Sequence, residues 1–356
     1  MKILYGVVGE GMGHAMRSRV VLEHLVRVGH EVQVMASQRA VDYLAQHFQS
    51  VHRIHGMHII YEENRVRRGK TVLSNVLAGA RAVPGQIRAY FDLIDGFHPE
   101  VVISDFESWT YVYGKLHRLP VFSVDNIQMI NRCRHPRDIV DVDRAGFELS
   151  RAFVKSKLLH ADHYLIATFY YPTVHKKRTT LYPSILRPEI LAAVPSRGEH
   201  LLVYQTAEGN DALATALTAS GLDCRIYGMR RGLQQDVVEG NLKYRPFSET
   251  AFIEDLATAR AVVAGGGFTL MSECVYLHKP LLAAPVVGQF EQLLNTLYLE
   301  REGYGRYARS LDLPTLSAFL DAVPACEERL GAYAQDGNHL LFDALDGLLD
   351  GVAAGL

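Results

Sequence analysis

Two stretches of this chain carry residues whose types and spacing could do chemistry. In AVVAGGGFTLMSECVYLHKPLLAAPVVGQFEQLLN, from Ala261 to Asn295, a short apolar run ends in Gly265, Gly266 and Gly267. None of the three has a side chain to keep a ligand off the backbone. A helix predicted to begin near Phe268 puts Thr269 in its first turn, where N–H groups without helical partners and the helix dipole favour an anion. Glu273 follows one turn later, spaced to accept hydrogen bonds from two neighbouring hydroxyls. Glu291 and Gln292 open a further predicted helix and add an acceptor and an amide. The set suits a diphosphate joined to a ribose on one side and a second polyol on the other. Taken singly, each residue has a plainer reading: a tight turn, a surface helix residue, a solvated helix start. Their order and spacing together favour the site.

The second stretch is GEGMGHAMRS, residues 9–18. Gly9, Gly11 and Gly13 suggest a dinucleotide loop, but the third glycine of G-x-G-x-x-G is replaced by His14. The second strand also ends in Ala36-Ser37, without the acidic residue that would hold a ribose. The loop is therefore read as a close-approach turn holding His14 at the mouth of the first helix. A histidine there can take a proton from an attacking hydroxyl if a carboxylate orients its other ring nitrogen. Asp105, closing the apolar run Val101–Ile103, is the expected orienter, and Asp125 is the next candidate base. The alternative is that His14 caps the helix or binds water and Asp105 is an ordinary loop residue.

The stretch around Gly266, Thr269, Glu273, Lys279-Pro280, Glu291-Gln292 and Asn295 resembles the C-terminal half of nucleotide-sugar glycosyltransferases of the two-domain GT-B type, especially MurG-like and macrolide/UDP-glycosyltransferase families. MurG-like proteins also carry a G-x-G-G-H loop after their first strand, and related enzymes often pair that histidine with an aspartate; GEGMGH spaces its glycines differently, and the resemblance puts Gly11 and Gly13 on the acceptor side. Many relatives open the second glycine turn with a histidine. This chain has Gly265 there, so phosphate contact would rest on backbone N–H groups. The resemblance puts Phe247 beside the nucleobase, with core packing as the alternative, and Thr206 and Gly209 at a second glycine turn from which QTAEGN departs. It implies an α/β GT-B fold: two Rossmann-like parallel-sheet domains facing a central cleft. The implied activity is an inverting, metal-independent glycosyltransferase moving a sugar from a UDP- or TDP-sugar to a hydroxyl acceptor of glycolipid, cell-envelope or small-molecule type, with no cofactor. A nucleotide-sugar epimerase and a non-catalytic sugar-nucleotide-binding protein are the competing readings.

These residues need elements to hold them, and the composition allows them. The 356 residues fit two domains, and 48% hydrophobic with 21% charged residues is the balance of a folded globular chain. A net charge of −2 gives no reason to expect a nucleic-acid partner. Four dispersed cysteines and no C-x-x-C pair indicate neither a zinc site nor a disulfide framework. The start MKILYGVVGEG does not read as a signal peptide, and no apolar run is long enough to span a bilayer. Together these predict a cytoplasmic protein. The basic run of Arg65, Arg67, Arg68 and Lys70 would allow peripheral contact with the inner membrane face, although a solvated loop is the commoner meaning of such a cluster.

Strand, glycine turn, helix and strand over residues 2–36 read as a parallel βαβ unit, and the unit type recurs in the second half. Residues 130–145 are expected as loop and Tyr170–Pro195 as the passage between domains. The expected division is 1–185 for an N-terminal acceptor-binding domain and 196–330 for a C-terminal nucleotide-sugar-binding domain. Residues 331–356 are C-terminal helices that could return to the first domain.

Overall fold

A computed structural model describes residues 1–9, 11–54, 61–62, 65–66, 89–205 and 211–355. The chain divides into two units: Met1–Arg187 with Asp336–Leu356, and Pro188–Gln335. The first opens with β1 (Lys2–Val7), α1 (Met12–Arg27), β2 (Glu31–Ser37), α2 (Gln38–Leu44) and β3 (Val51–Ile54). The short β4 (Tyr61–Glu62) and β5 (Arg65–Val66) pair with each other, and residues 89–97 form α3. Then come β6 (Val101–Asp105), α4 (Ser108–Leu116), β7 (Val121–Asp125), α5 (Met129–Arg132), β8 (Cys133–Arg134) and α6 (Arg137–Val140). The series closes with α7 (Arg144–Lys157), β9 (His163–Thr168), β10 (Thr173–Val174) and β11 (Thr179–Pro183).

Seven strands form one parallel sheet in the order β11-β9-β7-β6-β1-β2-β3. Helices must cover both faces of such a sheet, which is why β1, β6 and β7 read as near-continuous apolar runs. From β1 the chain first steps outward through β2 and β3, then returns to β6 on the other side. The carboxyl ends of β1 and β6 are therefore the switch point of this sheet, where open α/β sheets place ligands. Val7 and Asp105 are register partners there.

The second unit runs through α8 (Pro188–Ala192), β12 (Leu201–Tyr204), α9 (Asp211–Ser220), β13 (Cys224–Tyr227), β14 (Val237–Glu239), β15 (Leu242–Arg245) and α10 (Glu249–Thr258). It continues with β16 (Ala261–Gly265), α11 (Phe268–Tyr276), β17 (Leu281–Ala284), α12 (Phe290–Glu302), β18 (Gly305–Tyr307) and α13 (Leu313–Gly331). Its sheet has the order β14-β15-β13-β12-β16-β17-β18, parallel except for β14. The switch point lies between β12 and β16, so the glycine turn after β16 stands at it.

The final helix, α14 (His339–Ala353), belongs to the first unit. Leu341, Leu345 and Leu349, spaced by four, share a core with Ile3, Val21 and Leu25. His24 stacks on Phe342 at 4.0 Å and holds Asp346 at 2.9 Å. Where the chain re-enters this unit, Asn338 accepts from the Leu186 N–H at 2.9 Å and donates to its carbonyl at 2.8 Å.

Several elements differ from the expectations. Helix α1 begins at Met12, so His14 lies inside the first turn and not ahead of the helix. Residues 130–145 are not a plain loop: they hold part of α5, then β8 and α6, with β8 pairing antiparallel to β10. Such short elements carry no hydrophobic period. The stretch from Tyr170 to Pro195 contains β11, an edge strand of the first sheet, in which Pro183 is tolerated because it closes the strand. Thr206, Gly209, Arg67, Arg68 and Lys70 lie outside the described residues, and of Arg65 only the strand assignment is described.

Candidate active site

In the first unit the site is assembled at the switch point. Gly11 precedes α1 with φ +91°, a backbone conformation that L side chains rarely adopt, and it turns the chain from β1 into the helix. Helix α1 has no side-chain cap and no acidic residue in its first turn. By contrast α4, on the same sheet, is closed by the Glu107 carboxylate, which accepts from the N–H groups of Trp109 and Thr110, each at 2.8 Å.

Gly13 and His14 fall in that uncapped first turn. The His14 side chain is 12% exposed, and its Nδ1 lies 2.8 Å from Oδ1 of the fully buried Asp105. One turn further, Arg17 grips the same carboxylate: Nη2 donates to Oδ1 at 2.6 Å and Nε to Oδ2 at 3.1 Å. Ser18 Oγ donates to Oδ2 at 3.0 Å, and Arg17 Nη1 donates to Asn126 Oδ1 at 2.7 Å.

This geometry assigns the imidazole protons. A carboxylate only accepts, so the 2.8 Å contact needs the hydrogen on His14 Nδ1. Arg17 Nη2, also 2.8 Å from Nδ1, then directs its own hydrogen to Asp105. In the neutral ring this tautomer leaves the lone pair on Nε2, where a proton can be accepted. Burial alone would raise the Asp105 carboxyl, but the charges and hydrogen bonds of Arg17 and His14 outweigh it and hold it below the ordinary carboxylate range. Asp105 is thus a permanent anion beneath the ring.

Asp125, the next candidate base, stands apart from the His14 contact. It is fully buried, and its carboxylate accepts from Ser123 Oγ at 2.7 Å and the Gln128 N–H at 2.8 Å. Burial raises its pKa. The partner that contacts His14 is Asp105. Arg17, Ser18 and Asn126 were not among the residues singled out from the sequence.

In the second unit the remaining candidates gather at the carboxyl edge of the sheet. Gly266 is packed from behind: a Cβ there would meet Gln292 Cβ at 2.7 Å, Gln292 O at 2.9 Å and Pro285 Cβ at 3.0 Å. Around Gly267 nothing lies within 4 Å of such an atom, and Gly265 is nearly as open. Gly267 starts α11, which has neither a side-chain cap nor an acidic first turn. Phe268 is buried and Thr269 half-buried, while Glu273 is 3% exposed.

Glu291 and Gln292 lie in the first turn of α12. Glu291 Oε1 accepts from Asn295 Nδ2 at 3.2 Å, and Gln292 Oε1 accepts from the Val286 N–H at 3.0 Å, pinning the loop after β17. Phe247 follows β15 and is 63% exposed, its ring 6.2 Å from that of Phe252, so it is not a core residue. An uncapped helix start beside open glycines can hold a phosphate by backbone N–H groups. Among the described residues no cluster of His, Cys, Asp or Glu could hold a metal ion.

Comparisons with known proteins agree with this architecture. A family model described as glycosyl transferase family 1 matches residues 1–324. An uncharacterized glycosyltransferase of Methanosarcina mazei is 24% identical over 329 residues, covering 86% of this chain and 85% of the relative. One from Methanosarcina acetivorans is 24% identical over 336 residues, with the same coverage. Among solved structures, the calicheamicin glycosyltransferase CalG4 superimposes with TM-score 0.65 at 16% identity over 98% of both chains. LpCGTa in complex with UDP gives 0.61 at 13% identity over 97% of this chain and 98% of that one. The spinosyn rhamnosyltransferase SpnG complexed with thymidine diphosphate gives 0.57 at 15%, over 97% and 100%. At these identities the likeness is one of fold, the GT-B arrangement of two Rossmann-like domains.

Proposed function

The chain belongs to glycosyl transferase family 1, and on that premise we propose that it is an inverting glycosyltransferase whose first unit presents the acceptor and whose second unit holds a UDP- or TDP-sugar. The observation that carries the reading is His14 on Asp105 at 2.8 Å, with Nε2 left as the proton acceptor, at the switch point of the first sheet. His14 Nε2 takes the proton of the acceptor hydroxyl as its oxygen attacks the anomeric carbon. The bond from that carbon to the diphosphate breaks on the opposite face, its electron pair leaves with the diphosphate, and the configuration inverts. Asp105 stabilises the imidazolium that forms, and Arg17 keeps Asp105 in place.

The leaving diphosphate is met by the backbone N–H groups at the start of α11, where Gly265 and Gly267 leave room and Thr269 stands in the first turn. Glu273 takes the ribose hydroxyls, Phe247 the base, and Glu291 and Gln292 the sugar. The UDP and thymidine diphosphate complexes of two structural relatives favour those donors. The family match supports a broad family 1 enzyme; a MurG-like specialisation rests on the resemblance of the Gly266–Asn295 stretch and the His14 loop alone. Four buried, unpaired cysteines favour the cytoplasm, and among the described residues no helix is long and apolar enough to cross a membrane.

The test is a thermal-shift screen of UDP, TDP, GDP and ADP in EDTA, because a ligand bound only by the folded state raises the midpoint. UDP or TDP should do so without a divalent ion, and incubation with donor alone should yield no epimer. Binding that appears only with added metal would overturn the backbone-phosphate account.

A further inference from the structure

The first unit contains a half-open cavity of about 440 Å³ that the transfer reaction does not use. It lies beside the segments leading into β9 and β11, and α5, which follows β7, supplies Asn131 and Arg132; Asp105 and Asp125, which close β6 and β7, are not among its lining residues. Its floor is buried and includes Asn131, Arg132 and Tyr164; Lys155, Lys176 and Lys177 line its rim.

Arg132 is held flat. Its guanidinium lies 3.5 Å over the Tyr164 ring, Nε donates to Thr179 Oγ1 at 2.6 Å, and Nη2 donates to the Lys177 carbonyl at 2.6 Å. Lys176 Nζ donates to Asn131 Oδ1. Among the described residues no carboxylate lines the cavity. Asp162, next in the chain after the segment 158–161 that does line it, is engaged by Lys115 at 3.0 Å and the Val121 N–H at 2.9 Å, with Arg178 at 3.8 Å. Among the described residues Arg132, Lys155, Lys176 and Lys177 make no ion pair. A chain whose net charge is −2 has gathered four cations without an ion-pair partner around one hollow. Burial first, then the charges of Arg132, Lys155 and Arg151, draw the Lys176 pKa below its ordinary value, so these cations repel one another.

We infer that this cavity binds the phosphate group of an organic phosphate ester or diphosphate. Several converging cations suit a dianion better than a single carboxylate, and a planar guanidinium flanked by lysines is the donor set that phosphate oxygens accept from. The volume is within the usual range for small-molecule sites and exceeds a bare phosphate. Leu158 and Leu159 give the organic part an apolar wall.

Inorganic pyrophosphate titrated calorimetrically into the full chain at constant ionic strength tests this. Wild type should show saturable binding at about 1 mM or tighter, weakened at least roughly tenfold in Lys155→Gln/Lys176→Gln. UDP is itself an organic diphosphate, so the donor site is separated with Gly267→Ala: pyrophosphate binding that survives in Gly267→Ala and falls in Lys155→Gln/Lys176→Gln belongs to the cavity, whereas loss in Gly267→Ala alone overturns the inference. Co-sedimentation with phosphatidylglycerol vesicles against phosphatidylcholine vesicles identifies the source. Retention on phosphatidylglycerol alone, lost in the variant, assigns the phosphate to a lipid headgroup; binding of pyrophosphate alone assigns it to a soluble ester. If the variant has a lowered thermal midpoint, Lys177→Gln replaces it, since the Lys177 side chain makes no hydrogen bond among the described residues. Identical isotherms for wild type and variant, or wild type binding neither pyrophosphate nor phosphatidylglycerol, overturn the inference.

Discussion

His14 and Arg17 sit on one helix face three residues apart, and they have separable jobs. His14→Ala removes the proton acceptor while leaving the second unit untouched. Turnover should fall roughly 10²–10⁴-fold, the usual span for a general base, with nucleotide affinity near wild type. Normal turnover with an authentic acceptor would reduce His14 to a helix-start residue. Arg17→Met strands a fully buried carboxylate and should cost about 3–5 kcal/mol of unfolding free energy, as removal of one partner of a buried ion pair does. Adding Asp105→Leu should recover part of that loss, because the orphan charge goes with it; strictly additive losses in urea unfolding would show that the two are not coupled. The sequence did hold a clue to this pair. Arg17 falls three and four residues before Val20 and Val21, on the stripe that faces the core, and a cation there requires a buried anion. Which anion depends on strand order, since Asp105 is 88 residues away in the chain.

At the scale of elements, the glycine turn after β16 combines two demands that one sequence motif conceals. Gly266 is small because α12 packs on it, and Gly267 because space is kept open beyond it. Gly266→Ala should therefore destabilise by about 1–3 kcal/mol, the cost of overpacking. Gly267→Ala, at φ −70° and with nothing nearby, should keep stability within about 0.5 kcal/mol yet weaken UDP binding. Paired urea and nucleotide titrations check both halves, and undiminished UDP affinity in Gly267→Ala would remove the turn from the phosphate seat. Glycine turns and long apolar runs were legible because each has a local cause: left-handed φ at Gly11, two-faced burial in β1, β6 and β16. The pieces that were not legible, β8, α6, β11 and β14, are two to five residues long and owe their form to partners elsewhere. The stretch that reads as a passage between domains holds β11, an edge strand whose last residue is Pro183, where a missing N–H is tolerated.

For the molecule as a whole, histidine burial sets the response to acid. Burial, opposed by the hydrogen bond to the Met129 carbonyl, pulls His135 down to about 4. Burial also lowers His30, His52, His163, His175 and His200. A histidine whose folded pKa lies below its unfolded value near 6.5 binds fewer protons in the native state, so stability rises with pH between the two values. The contribution is fully present above the unfolded pKa and is lost as pH falls through the window from about 6.5 toward 4. His135 alone should account for roughly 2–3 kcal/mol across that window, and the other five add with the same sign. Urea unfolding at pH 7, 6 and 5 should thus give a falling free energy of unfolding well before the carboxylates titrate. His135→Gln, which can still donate to Met129, should flatten part of that slope without changing the urea dependence at pH 7. Stability that stays level from pH 7 to 5, or an unchanged slope in His135→Gln, would mean that these rings are hydrated enough to take their protons in the folded state.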